Sequence, residues 1–207
     1  MDGVISLIKP PGITSHDAIG ICRRILKERR IGHSGTLDPL AYGVLPIFVG
    51  KATRAIEYTE SIGKTYVAEC KFGVETDTED STGNILRTLD SIEAPSWDEL
   101  EQAVQSFEGS IEQRPSKYSA IKINGQRAYD LARAGVEFEL PSRLIHIHDI
   151  ELLAYAFPFF TIRVRCSAGT YVRALLRDIC QRLNLCGMMT QLCRTAVGQC
   201  NIEQSVT

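Results

Sequence analysis

The octapeptide Gly32-His33-Ser34-Gly35-Thr36-Leu37-Asp38-Pro39 runs, after three residues, into Gly43-Val44-Leu45-Pro46-Ile47-Phe48-Val49-Gly50. The second stretch is an apolar run bounded by glycines, the pattern of a buried strand. A fold that buries it must leave the polar octapeptide beside the core. The two glycines of the octapeptide let the backbone take positive φ and pass close to another chain. His33 and Ser34 place small hydrogen-bonding groups on that pliable backbone. Asp38 precedes a proline, which biases it away from helix. One carboxylate thus ends a polar loop anchored against the core. Asp-Pro alone is a common turn opener, so the functional weight rests on the eight residues together.

The chain of 207 residues is long enough for one large or two small domains, and 44% hydrophobic residues allow a sizeable core. No segment approaches the apolar length needed to span a bilayer. The N-terminus lacks a basic region followed by a long apolar stretch, so no secretory signal is visible. A soluble, cytoplasmic protein is expected. The seven cysteines include no Cys-x-x-Cys pair, and Cys186, Cys193 and Cys200 recur every seven residues without a partner half. That spacing does not suit zinc, so reduced thiols and no metal are expected.

The net charge of −2 counts against a nucleic-acid partner, but its distribution counts the other way. Arg23, Arg24, Lys27, Arg29 and Arg30 crowd just before the octapeptide, while acidic residues gather at Glu75–Asp80. For phosphate binding a local patch outweighs the total.

Val4–Ile8 reads as a strand ending at Lys9-Pro10-Pro11-Gly12. Thr14 and Asp17 have capping-box spacing, with Asp in the usual Glu place. Ala18, Ile21, Cys22, Ile25 and Leu26 then follow helical periodicity, which turns the basic residues outward. Lys51–Tyr58 reads as a short helix, Lys64–Phe72 as a strand, and Glu75–Asn84 as a polar loop. Ser96 and Glu99 form a second capping box, opening a helix to about Phe107. Lys117–Ile123 reads as a strand closed by an Asn124-Gly125 turn. Ala128–Ala134 reads as a helix ended by Gly135. Arg143–Tyr155 and Phe159–Ser167 read as long strands, Thr170–Leu183 as a helix, and Met188–Arg194 as a final strand. His146 and His148 alternate with Ile145 and Ile147, so both point to one face of a strand, which is read as the solvent face. Strands outnumber helices and often follow one another directly. The fold class is therefore α+β, with a mixed, largely antiparallel central sheet flanked by helices and loops. A single domain over residues 1–207 is expected, with a candidate insertion around 75–110.

Gly32–Pro39 resembles the catalytic motif of the TruB family of pseudouridine synthases, and Leu40–Pro46 and Gly50–Arg54 continue the match. Lys9–Ser15 resembles the family's N-terminal motif. Lys64-Thr65-Tyr66 resembles the motif carrying its active-site tyrosine. Ser116–Tyr129 resembles a segment of the bacterial tRNA enzyme. Cys166–Arg173 resembles the motif carrying its active-site arginine. The resemblance implies the pseudouridine synthase fold, with Asp38, Tyr66 and Arg173 catalytic. It implies RNA or substrate contacts from His33, Ser34, Thr36, Lys9 and Tyr171; the basic run adds Arg23, Arg24 and Arg30. It further implies a monomer that needs no cofactor and acts on the T-stem-loop of tRNA. A C-terminal PUA RNA-binding domain, common in the family, is not expected within these residues: the chain either lacks it or is truncated before it.

In the family the aspartate isomerises uridine: the N-glycosidic bond breaks, uracil rotates, and C1′ bonds to C5. The carboxylate can attack C1′ or C6, or abstract the 2′ proton to give a glycal. The tyrosine stacks on the target base, and His33 would fill the space the flipped nucleotide vacates. Flipping costs about a few kcal/mol, and an aromatic platform suits an unstacked base. Thr170 reads as an N-cap, placing Arg173 at the third helical position. There a cation opposes the helix dipole, and a carboxylate such as Asp38 would relieve the conflict while being held ionised and oriented.

The sequence thus points to conversion of uridine 55 in the tRNA T-loop. The alternatives are a guide-dependent synthase and a non-catalytic RNA-binding or RNA-folding protein of the same fold. If the basic run touches phosphates, neutralising two of its residues should lower the log–log salt slope of RNA binding by roughly 0.7 to 0.9 per lost contact. An unchanged slope would make this run an ordinary solvated face.

Overall fold

The computed structural model describes residues 1–59, 61–119, 121–123 and 125–207. They form an α+β fold with four α-helices and a mostly antiparallel sheet. Two compact units divide the chain. The first comprises Met1–Ala68, Arg163–Ala168 and Gln191–Thr207; the second comprises Glu69–Ile162 and Gly169–Thr190.

The first unit begins with β1 (Gly3–Lys9) and α1 (Ser15–Leu26). Thr14 caps α1 in a complete capping box: its hydroxyl accepts from the Asp17 amide at 3.0 Å, and the Asp17 carboxylate accepts from the Thr14 amide at 2.9 Å. Such a cap contributes about 1 kcal/mol. The buried face of α1 is Ser15, Ala18 and Ile19. The expected face is corrected here, because Ile21 and Ile25 are exposed. The helix presses its N-terminal half on the core and lifts its basic end away, so Arg23, Arg24, Lys27, Arg29 and Arg30 are all exposed.

Next come β2 (Ile31–His33) and β3 (Tyr42–Val49), whose residues after Tyr42 are all buried, as the apolar run requires. A 3₁₀ segment follows over Gly50–Thr59, where the sequence suggests a short helix. The unit also takes the first part of β4 (Lys64–Phe72) and the last parts of β11 (Phe159–Cys166) and β12 (Gly187–Val197), with β13 (Cys200–Asn201) paired to β12. Its strand order is β1-β3-β12-β4-β11. β1 and β2 pair antiparallel with β3, and β12 pairs parallel with it through Cys193–Tyr42 and Arg194–Gly43. The last pair explains Gly43. Its φ is +111°, and a Cβ there would lie 2.2 Å from the Arg194 carbonyl oxygen.

The second unit holds the remaining parts of those strands with β10 (Arg143–Ala156) and β7 (Gly109–Gln113), in the order β12-β4-β11-β10-β7. It also holds α2 (Trp97–Gln105), α3 (Ala128–Arg133) and α4 (Val172–Arg182), and two small hairpins. One hairpin is β5 (Val74–Thr76) with β6 (Ile85–Thr88); the other is β8 (Lys122–Ile123) with β9 (Gln126–Arg127). Ser96 caps α2 in the expected capping box. Phe72 and Phe160 meet with centroids 4.8 Å apart, and the Phe157 and Tyr155 rings pack against Phe72.

Three expectations change. The Glu75–Asn84 stretch is not all loop, since β5 takes its first two residues. The strand expected over Lys117–Ile123 shrinks to β8; Ala120 within it, and Asn124 of the turn beyond, lie outside the described residues. The N-cap of α4 is Tyr171, without a side-chain cap bond, so Arg173 stands at the second helical position. The seven cysteines are free, and five are buried. His146 and His148 stand side by side on an exposed face, ring centroids 4.7 Å apart.

Candidate active site

A loop with two glycines has little conformational preference of its own, so the position of Asp38 depends on what grips residues 34–44. In the first unit several groups do. The buried Ser15 hydroxyl bonds to Leu37 on both sides, accepting from its amide at 2.9 Å and donating to its carbonyl at 3.1 Å. The Gly12 amide donates to the Pro39 carbonyl at 2.8 Å, and the Ala41 amide to the Asp38 carbonyl at 3.1 Å. Thr59 donates its hydroxyl to that of Ser34 at 2.6 Å, and the Ser34 amide donates to Pro46. The start of α1, the turn after β1 and the 3₁₀ segment thus hold the loop, leaving Asp38 half-buried and Thr36 exposed.

Buried cationic groups gather in the same unit. Lys9 is fully buried, and its ammonium donates to the Pro10 and Ile13 carbonyls at 2.8 Å each. Burial pushes its pKa down to about 8, Asp38 pulling it up and Arg194 adding to the fall. Arg194 is also fully buried, donating Nε to the Val44 carbonyl at 2.7 Å and Nη2 to the Gly35 carbonyl at 2.9 Å. Lys64 donates to the Ile62 carbonyl at 3.1 Å, and burial and Arg194 hold its pKa below the ordinary range. Tyr66 is almost fully buried and hydrogen-bonds Arg194; burial raises its phenol while Arg194 opposes the rise. His33 lies on β2, and its buried Nδ1 finds no hydrogen-bond partner among the described residues. Burial, then the charges of Arg194 and His16, lowers its pKa. The structure therefore places Lys9, His33, Ser34, Thr36, Asp38 and Tyr66 in one compact unit, and Asp38 is close enough to Lys9 to act on its charge.

Arg173 and Tyr171 belong to the second unit. Arg173 donates Nη1 to the Thr78 carbonyl at 2.9 Å and Nη2 to the Tyr118 carbonyl at 3.1 Å, and stands 3.6 Å from the Asp80 carboxylate. Asp80 is itself buried and accepts at one oxygen from the Thr78 hydroxyl, the Thr82 amide and the Thr82 hydroxyl, at 2.6 to 3.0 Å. Beside them Arg177 bridges Glu79 and Asp178. Tyr171 is fixed by the Gln113 amide group, which accepts from its backbone nitrogen at 2.9 Å and donates to its carbonyl at 3.1 Å. Of the basic run, Arg23 donates to the Ile31 carbonyl and Arg30 to the Thr53 hydroxyl, so each is oriented though exposed. A cleft of about 680 Å³ beside β8, β9 and α3 contains none of these residues.

Sequence reasoning missed two charged residues that the fold buries. Arg194 interrupts a strand whose neighbours Leu192 and Cys193 are apolar, and a charge there needs a buried set of acceptors. Asp80 lies between Thr78 and Thr82, hydroxyls able to satisfy it locally, but the acidic run around it reads as a solvated segment.

The family profile described as TruB family pseudouridylate synthase, N-terminal domain, matches residues 23–172. This chain belongs to the TruB family. The tRNA pseudouridine synthase B of Dehalococcoides mccartyi is 44% identical over 208 residues, taking in all of this chain and 68% of the relative. That of Clostridium acetobutylicum is 44% identical over 206 residues, taking in all of this chain and 71% of the relative. Among solved structures, a Cbf5–Nop10–Gar1 complex contains a chain 33% identical with a TM-score of 0.75, covering 96% of this TruB-family chain. An H/ACA ribonucleoprotein bound to a substrate RNA containing 2′-deoxyuridine contains one 30% identical with a TM-score of 0.74, covering 99%. The chain spans about half the length of these two structural neighbours. Recognition of the family, its α+β fold and its enzyme class, pseudouridine synthase, therefore holds.

The buried ammonium of Lys9 gives a test by pH. Its pKa is depressed from 10.5 to about 8, so the folded chain binds this proton less tightly than the unfolded chain. Burying the charge costs stability in full below pH 8, where both states are protonated, and the cost is relieved as pH goes from 8 to 10.5, by at most about 1.4 kcal/mol per pH unit. In urea unfolding, the free-energy difference between wild type and Lys9→Met should move in favour of wild type across that window. A difference that stays flat with pH would contradict it.

Proposed function

We propose that this TruB-family enzyme converts uridine to pseudouridine at position 55 in the T-loop of tRNA, without a guide RNA or cofactor. The observation that carries the reading is the loop around Asp38: a half-buried aspartate on a backbone held from several sides, in one unit with Tyr66, His33 and buried cations. The relatives named tRNA pseudouridine synthase B support tRNA as the substrate, and the Ser116–Tyr129 segment supports the stand-alone enzyme.

The reaction is an isomerisation. The N1–C1′ bond breaks, the uracil turns, C1′ bonds to C5, and the proton on C5 is lost while N1 gains one. The atoms balance without an oxidant or a group donor. Asp38 is the residue assigned to begin it, at C1′, C6 or the 2′ proton. The backbone that carries it is fixed by the grip on Leu37 and Pro39, which limits the entropy lost on reaching the reacting geometry. Tyr66 is assigned to stack on the flipped uracil. His33, whose buried Nδ1 has no hydrogen-bond partner among the described residues, is assigned to the space the nucleotide leaves. Arg173 is the cation assigned to the reaction, held at the start of α4 by Asp80 and two carbonyls. Ser34, Thr36, Lys9, Tyr171 and the exposed Arg23, Arg24 and Arg30 are assigned to substrate and RNA contacts.

Incubation with an unmodified T-arm transcript, followed by pseudouridine mapping, should give modification at position 55 alone. Asp38→Asn keeps the size of the side chain and removes its anionic oxygen. It should abolish turnover while changing RNA affinity by less than about tenfold, or 1.4 kcal/mol. A purified Asp38→Asn preparation that turns over repeatedly would overturn the assignment. Wild type inactive on bare tRNA but active with a guide RNA would favour the guide-dependent reading, which the ribonucleoprotein neighbours make worth testing.

Arg173→Ala should cost far more in turnover than in affinity. Arg173→Lys should restore charge without the planar fork and give intermediate activity. An Arg173→Ala enzyme with unchanged turnover would remove this residue from the chemistry.

A further inference from the structure

Arg194 is among the largest fully buried side chains of the molecule, and it is charged. Taking a guanidinium out of water costs several kcal/mol unless its donors are used well, and an apolar side chain would fill the same space without that cost. Its contacts indicate what it does. Nε and Nη2 donate to the carbonyls of Val44 and Gly35, and Tyr66 offers its hydroxyl. Gly35 stands three residues before Asp38 and Val44 six residues after it. One planar group therefore ties together both ends of the segment that presents the carboxylate.

The glycines of this segment fit the same residue. Gly35 has φ +73°, and a Cβ there would approach Arg194 Nη1 to 3.2 Å and Lys64 Cε to 3.1 Å. Gly43 leaves room for the Arg194 backbone, as described above. The side chain and the main chain of Arg194 thus each occupy space that a glycine of the Asp38 segment leaves open. Its charge also reaches Lys9, His33 and Lys64, each of which it makes harder to protonate.

We infer that Arg194 is a positioning residue for the reaction. It clamps residues 35–44 so that Asp38 is presented in one geometry, and it fixes the hydroxyl of Tyr66 so that the ring offered to the base keeps its orientation. It touches no substrate. This inference rests on the assignment of Asp38 and Tyr66 under the proposed function.

The test is Arg194→Lys, which keeps the charge but lacks the fork that reaches two carbonyls. Turnover on the T-arm transcript should fall about 100-fold, the scale expected when a reacting group is misplaced by about 1 Å. RNA affinity should stay within about threefold, the transition-state loss appearing in kcat rather than KM. Amide exchange across residues 34–45 should rise about tenfold, with α2 and β10 unchanged. Unchanged turnover and exchange, or an equal loss of turnover, affinity and protection everywhere, would overturn the inference. The second outcome would make Arg194 merely structural. Should Arg194→Lys not fold, the wild-type guanidinium decides: an Nε proton exchanging slowly in nuclear magnetic resonance supports the clamp, and one exchanging like a surface arginine refutes it. Absence of pseudouridine formation by wild type would remove the proposed function instead, while the exchange measurements would still report whether Arg194 holds the loop.

Discussion

The parallel pairing of β12 with β3 is the contact on which the rest of the candidate site depends. It joins Arg194 to Gly43 and brings the end of the chain against the segment that carries Asp38. Parallel strands need a long connection, and here 150 residues separate the Arg194 side chain from the Val44 carbonyl that it binds. A backbone approach this close leaves no room for a Cβ at Gly43. The glycine next to the apolar strand is thus fixed by the return of a distant strand, and the same return delivers a guanidinium to the loop.

Charge is concentrated where water is scarce. Lys9 and Arg194 are wholly buried, and Lys64 and His33 are partly so. Burial makes all four harder to protonate, and their mutual repulsion adds to the effect in three of them. Backbone carbonyls from turns and strand ends absorb much of the cost, through Pro10, Ile13, Gly35, Val44 and Ile62. Asp38 is a carboxylate set among these groups. The net charge of the chain hides this arrangement completely, because it sums the acidic stretch at 75–80 with these cations. That acidic stretch is itself not idle: Asp80 and Glu79 engage Arg173 and Arg177 in the second unit.

Features that depend on neighbours in sequence were legible before the structure. Both capping boxes are residue patterns spanning four positions, and both form. The apolar run after the octapeptide is a buried strand because its glycine boundaries and lack of charge leave little else. The long strands β10 and β11 alternate as their sequences do. Failures came where a partner element set the outcome. Ile21 and Ile25 continue the helical period of α1, but the surface beneath that helix ends before them. Thr170 has the side chain of a cap, yet Tyr171 is the cap residue, held on both sides by Gln113. Lys122 and Ile123 alone keep strand pairing in their segment, because the β9 partner is two residues long.

The sequence by itself determined the loop chemistry, the buried strand behind it, the helix starts and the family. These are short-range patterns, and the physics that enforces them acts within a few residues of backbone. Only the tertiary structure decided which charges are buried, which carbonyls satisfy them, and which face of α1 meets the core. Those outcomes depend on contacts across 22 residues for Ser15 and Leu37, and 150 for Arg194 and Val44. An arginine reads the same in a sequence whether water or two carbonyl oxygens surround it; desolvation, a property of the folded neighbourhood, makes the difference.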